Sequence, residues 1–207
     1  MAQLIDIIRV VVGTEYLTAT VHISQDAPLM TSEDLEGTTR VYNLLPTIID
    51  HACAGDRGST FKDCMGDTEL AHLLEHVTVE LLARTNMVDD IIAGRTWREL
   101  AYDRTYSIQL PCVDDVLVVA ALSSAAWIVD WAFSGGVGPV PDVEATVAGL
   151  ANLVQSLDYA QDEYADDGFD YGASQGEPID ADYDFGDGED EDGEELDRGP
   201  RMSRKII

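Results

Sequence analysis

Basic side chains are few: 12 Lys and Arg stand against 40 Asp and Glu, a net charge of −28 over 207 residues. A chain with this balance repels phosphate backbones, which argues against nucleic acid as a partner and favours cationic ones. Cysteine is sparse too. Cys53, Cys64 and Cys112 are odd in number and include no C-x-x-C pair, so the thiols read as reduced rather than as a disulfide framework. The longest apolar run, Val116 to Val129, lies between Asp115 and Asp130 and is too short to span a bilayer. At the start of the chain no basic region precedes the apolar residues, and Asp6 and Arg9 interrupt them. No signal peptide is read, and a cytoplasmic protein with no membrane partner is expected.

The acids that are present are unevenly placed. Residues 158–197 hold 18 of them with no base, whereas Arg198, Arg201, Arg204 and Lys205 give the last ten residues a basic end. So acidic and Gly-bearing a stretch cannot bury enough apolar area to offset its ordering entropy. The sequence therefore predicts a folded domain over residues 1–157 and a disordered acidic tail over 158–207.

Within the domain the patterning alternates between two periods. Leu4–Val12 and Tyr16–Ile23 read as a β-hairpin turning at Gly13-Thr14, with Leu17, Ala19, Val21 and Ile23 on the buried side. Residues 25–39 read as a loop, on Pro28 and Gly37. Arg40–Ala54 has helical spacing, with Pro46 able to open a new helix. Another Gly-bearing loop is read over 56–66, then a helix over Glu69–Arg84 with Asp67 or Thr68 as N-cap. Further on come a strand at Thr105–Leu110, a largely buried helix at Asp114–Phe133, a turn at Gly135–Pro141 and a last helix at Asp142–Tyr159. Trp127 and Trp131 read as core residues of the apolar helix, and His22 as a solvated strand residue. Together these predict an α+β domain of two layers, a small antiparallel sheet with packed helices.

Chemistry concentrates on the helix over 69–84. At about 100° per residue, His76 falls about 40° from His72 and Glu75 about 60° to the other side, so the three share a face. Leu70, Leu73, Leu74, Val77 and Leu81 form an apolar back, which predicts a polar front open for chemistry, joined by Glu80 one turn on. Two imidazoles at i and i+4 can hold one zinc, and a neighbouring carboxylate can take a proton from water. His72-Leu73-Leu74-Glu75-His76 has the H-x-x-E-H order of the inverted zinc hydrolases. His51 and Cys53 are residue types that could also reach a metal, or could be a helix cap and a buried thiol.

Reading outward, Leu45-Pro46, His51-Ala52-Cys53, Phe61, Thr68, the helix His72 to Leu81 and Gly94-Arg95-Thr96 follow one another in an order similar to the N-terminal domain of cyanophycin synthetases. The resemblance runs from about residue 40 to 132. It implies His72 and His76 as zinc ligands and Glu75 as general base, with Glu80 as a further ligand or an orienting group. It also implies a peptidase-like hydrolase that cuts an aspartate/arginine polymer into primers. The ATP-dependent ligase domains of those synthetases are absent, as is a Gly-Lys-Ser/Thr phosphate loop, so the chain is not expected to ligate by itself. Two other readings compete with the hydrolase: a non-catalytic binding module for a basic polymer or a partner protein, and a structural metal domain without a substrate.

Overall fold

The computed structural model describes residues 3–53, 60–88, 93–112 and 114–166. All of these lie within one compact unit, Met1–Gly168. The architecture is α+β. A four-stranded antiparallel sheet in the order β1-β2-β4-β3 is built from β1 (Ile5–Val12), β2 (Tyr16–Ile23), β3 (Arg95–Arg98) and β4 (Thr105–Pro111). Four helices accompany it: α1 (Leu35–Leu44), α2 (Leu70–Arg84), α3 (Asp115–Phe133) and α4 (Val143–Asp166).

The predicted hairpin forms, with β1 and β2 paired from Ile5↔Ile23 to Val12↔Leu17. Alternation on β2 turns Leu17, Ala19, Val21 and Ile23 inward, and the register with β4 sets Leu110, Ile108 and Tyr106 beside the first three. All seven are buried, and this face carries the helices, chiefly α2 against β2, β3 and β4. The start of β1 is fixed to α3, where the Asp130 carboxylate accepts from the amides of Leu4 and Ile5 at 3.1 and 3.0 Å.

α3 packs against α1, α2, α4 and β1. By length and composition it could cross a membrane, but its most apolar window is 67% buried inside the domain, so here it is a core helix. Of its two tryptophans, Trp131 is buried as expected, while Trp127 lies on the outer side at 41% exposed. His22 differs as well: it is half-buried, with Nδ1 3.3 Å from the Thr105 hydroxyl, because β4 pairs beside it.

Three segments depart from the sequence reading. α1 begins at Leu35, inside the stretch expected to be a loop, because the Asp34 carboxylate caps the Gly37 amide at 2.9 Å. Gly37 marks close packing rather than a break: a Cβ there would sit 2.7 Å from the Phe133 ring. The second departure is β3, where no element was read and a short edge strand pairs with β4. The third is the start of α2. Glu69 is its N-cap residue without a side-chain bond, and the Leu70 amide instead donates to the Leu29 carbonyl at 2.8 Å. Pro46 does open a new turn, a 3₁₀ segment over Pro46–Asp50. α4 runs on to Asp166, past the expected end at Tyr159, through residues such as Ala160, Gln161 and Glu163 that favour helix. The tail predicted over 158–207 lies, from residue 167 on, outside the described residues, as do residues 54–59 of the Gly-bearing loop.

Candidate metal centre

The front of α2 is not open. From Leu70 to Leu82 every residue except His72 is buried, including Glu75 at 3%, His76 at 2% and Glu80 at 5%. Heptad spacing distinguishes a polar from an apolar side but says nothing of what covers the polar one. Here the cover is the 3₁₀ turn at Pro46–Asp50 with His51, the ring of Phe61, and β3. Phe61 lies stacked on His76, with ring centroids 3.8 Å apart, and edge-on to His72 at 5.5 Å. Such packing restricts both imidazoles to one rotamer and keeps water off their faces.

His72, Glu75 and His76 come together as the helix geometry predicted, with one ligand atom from each within 4.8 Å of the others. The two Nε2 atoms are 3.2 Å apart. Zn–N bonds of 2.0–2.1 Å at a tetrahedral angle place two nitrogens about 3.3 Å apart, so the pair fits a shared zinc. Remote groups set the tautomers. Burial, with His72 and His51 adding to it, depresses the His76 pKa to about 3, so this ring is neutral near pH 7. Its Nδ1 is 3.2 Å from Nδ1 of His51, whose Nε2 is 2.7 Å from the Glu80 carboxylate. A carboxylate only accepts, so His51 donates to it from Nε2; a neutral His51 ring then accepts at Nδ1. His76 must then donate from Nδ1, which leaves its Nε2 lone pair directed at His72. The His72 ring has two alternatives: Nε2–H donating to His76, or Nδ1–H donating to the Thr68 hydroxyl at 2.8 Å. The second turns both Nε2 lone pairs toward one point.

Glu80 sits behind His51 and belongs to neither cluster of possible ligands among the described residues. It accepts from His51, from the Thr47 hydroxyl and from Arg84 Nε at 2.8 Å. Burial works against its charge, but these donors outweigh it and hold the pKa at about 2. This is the bonding of a group that orients a histidine.

Glu75 has the opposite balance. Burial pushes its pKa up to about 7, against hydrogen bonds from the Thr96 hydroxyl at 2.5 Å and the Gly94 amide. Thr96 reaches it because the register Thr96↔Ile108 turns this residue to the inner face of β3. Gly94 is required by proximity: a Cβ on it would stand 2.6 Å from Glu75 Cγ. A carboxylate titrating near pH 7 is suited to general-base work. Beside it lies a cavity of about 280 Å³ lined by Ala52, Cys53, Glu69, His72, Glu75, His76 and Ala93–Thr96.

The two remaining candidates, His51 and Cys53, both reach the cluster. Cys53 Sγ is 3.6 Å from His72 Nε2 and 3.7 Å from Cys64 Sγ. Sequence reasoning assigned no role to Cys64, Phe61, Thr96 or Gly94. Thr96 and Gly94 sit at β3, where no element was read, and a β-branched residue beside Trp97 is the signal that could have pointed to a strand.

A family model describing the cyanophycin synthase-like N-terminal domain matches residues 19–132, more than half of the chain. The chain belongs to this family. The match begins within β2, earlier than the expected residue 40, and ends within α3. Every residue lining the cavity of this cyanophycin synthase-like domain falls inside it. No curated protein matches the chain.

Proposed function

We propose that the chain is a zinc-dependent hydrolase of amide bonds, acting on an aspartate/arginine polymer or a similar basic peptide. The observation that carries this reading is the pairing of His72 and His76 Nε2 atoms, 3.2 Å apart and beside Glu75, at the wall of a cavity. Zinc held there would supply Lewis acidity, which polarises a carbonyl and makes water acidic near neutral pH. His72 and His76 hold the metal, Thr68 and the Glu80–His51 pair orient the two rings, and Glu75 takes the proton from water. In the metal-free site burial already favours the protonated form of Glu75, bringing its pKa to about 7. Two further charges of opposite sign, Glu69 and Arg95, line the cavity and suit a substrate that carries both guanidinium and carboxylate groups.

The test compares zinc-loaded wild type with Glu75→Gln on an aspartate/arginine polymer and on unstructured basic peptides, following chain length by mass spectrometry. Glu75→Gln keeps the zinc and loses about 10²- to 10⁴-fold in rate, because the amide cannot accept the proton. Equal rates for the two proteins overturn the role of Glu75. Inertness of the wild type across the whole panel overturns the hydrolase and leaves the binding module in its place.

A further inference from the structure

Two buried thiols lie beside the His72 ring, next to the histidine pair. Cys53 and Cys64, 6% and 5% exposed, are joined by no disulfide. Cys53, Cys64 and His72 offer Sγ, Sγ and a ring nitrogen all within 4.8 Å of one another. We propose that these three residues form a second metal site, for a thiophilic d¹⁰ cation such as Cd²⁺ or Zn²⁺, adjoining the histidine pair and sharing His72 with it.

Distances carry the argument. Zn–S bonds of 2.3 Å and Zn–N bonds of 2.0–2.1 Å at tetrahedral angles give edges of about 3.8 Å between two sulfurs and about 3.6 Å between sulfur and nitrogen. The Cys53–Cys64 and Cys53–His72 separations are 3.7 and 3.6 Å, and the third edge, from Cys64 to His72, is within 4.8 Å. Buried cysteines that act only as small hydrophobes have no reason to gather both sulfurs within reach of one imidazole ring. Phe61 helps to place them: its carbonyl lies 3.6 Å from Cys64 Sγ, and its ring covers His72 and His76. Cys53 also lines the cavity, which gives a cation its way in and leaves a fourth position toward the open side.

Ligand type decides which cation goes where. Two thiolates with one imidazole favour a soft ion, whereas two imidazoles with a carboxylate favour a borderline or harder one. The Nε2 atom of His72 has a single lone pair, so it serves one metal at a time. A soft cation at the thiols therefore takes His72 away from His76. This site does not depend on the hydrolase reading, since it needs neither Glu75 nor turnover.

The experiment titrates Cd²⁺ into the full chain, kept reduced with a phosphine, and follows the ultraviolet sulfur-to-cadmium charge-transfer band. The band should saturate near one cadmium per chain. It should be lost in Cys53→Ser and in Cys64→Ser and remain in Cys112→Ser. X-ray absorption on the cadmium-loaded wild type should find sulfur in the metal's first shell, a readout that requires no variant to fold. A first shell of nitrogen and oxygen alone, a band that survives the Cys53→Ser/Cys64→Ser double variant, or no cadmium binding would each overturn the site. Failure of hydrolysis in the polymer assay with the cadmium band intact would strike only the earlier proposal.

Discussion

Gly94 faces Glu75 so closely that exchanging it for alanine gives a quantitative test of how the carboxylate is held. The added Cβ would stand 2.6 Å from Cγ, 2.8 Å from Cδ and 2.9 Å from Oε1 of Glu75. All three are shorter than carbon tolerates, and the crowded atoms are not the loose end of a surface chain. Glu75 projects from the buried helix α2 and is held at its other oxygen by Thr96. The strain must therefore move β3 or drive Glu75 off its rotamer, and overpacking of this kind costs about 1–3 kcal/mol. Glu75→Ala removes every atom involved in the clash, so Gly94→Ala introduced on top of it should cost much less. The assay is a double-mutant cycle by urea unfolding, read as the coupling between the two positions. We expect a coupling of about 1–3 kcal/mol. If Gly94→Ala costs the same to within about 0.5 kcal/mol in both backgrounds, the contact does not determine where Glu75 sits.

Three other outcomes are expected. Protein purified without a metal-affinity tag should carry about one zinc per chain by elemental analysis after zinc supplementation, and in the Cys53→Ser/Cys64→Ser background His72→Ala and His76→Ala should each abolish it. His51→Ala should weaken zinc binding about 10- to 100-fold in a chelator competition without changing the stoichiometry, since it removes an orienting partner and not a ligand. Asp130 should make stability fall as pH rises. Burial, opposed by the Leu4 and Ile5 amides, raises its folded-state pKa from 3.8 to about 6, so the stabilisation present below pH 3.8 is lost as pH passes about 6. Asp130→Asn keeps an oxygen for both amides and cannot ionise. Urea unfolding should show wild type losing up to about 3 kcal/mol relative to this variant across that interval, and parallel pH profiles would refute the assignment.

What was legible in the sequence follows from how local its cause is. The hairpin, α2 and α3 each announce themselves through periodicity inside a single segment, and the shared face of His72, Glu75 and His76 is a property of one helix. The burial of that face is not, because it requires His51, Phe61 and Thr96 to arrive from three other parts of the chain. Glu80 shows the same limit. Its position one turn beyond His76 pointed toward the metal, but Thr47, His51 and Arg84 take up its oxygens, and only Arg84 belongs to the same helix. β3 was missed because four residues give too short a pattern to read, and its pairing with β4 is a tertiary event. Gly37 and Pro28 misled by suggesting a loop where a capped helix packs tightly on Phe133.

The strand order has a consequence for the nascent chain. Among the described residues β4 is the last strand to be synthesised, yet it lies between β2 and β3 and is the only strand that β3 pairs with. A chain that has emerged only as far as Arg98 already contains His51, Cys53, Cys64, His72, Glu75, His76 and Thr96. Nothing then aligns Thr96 with Glu75. Insertion of Thr105–Pro111 joins positions as far apart as Tyr16 and Pro111, a long-range closure that comes late because its loop entropy must be met first. The same event that completes the sheet thus completes the cavity, so any activity of this helix begins only when the domain around it is whole.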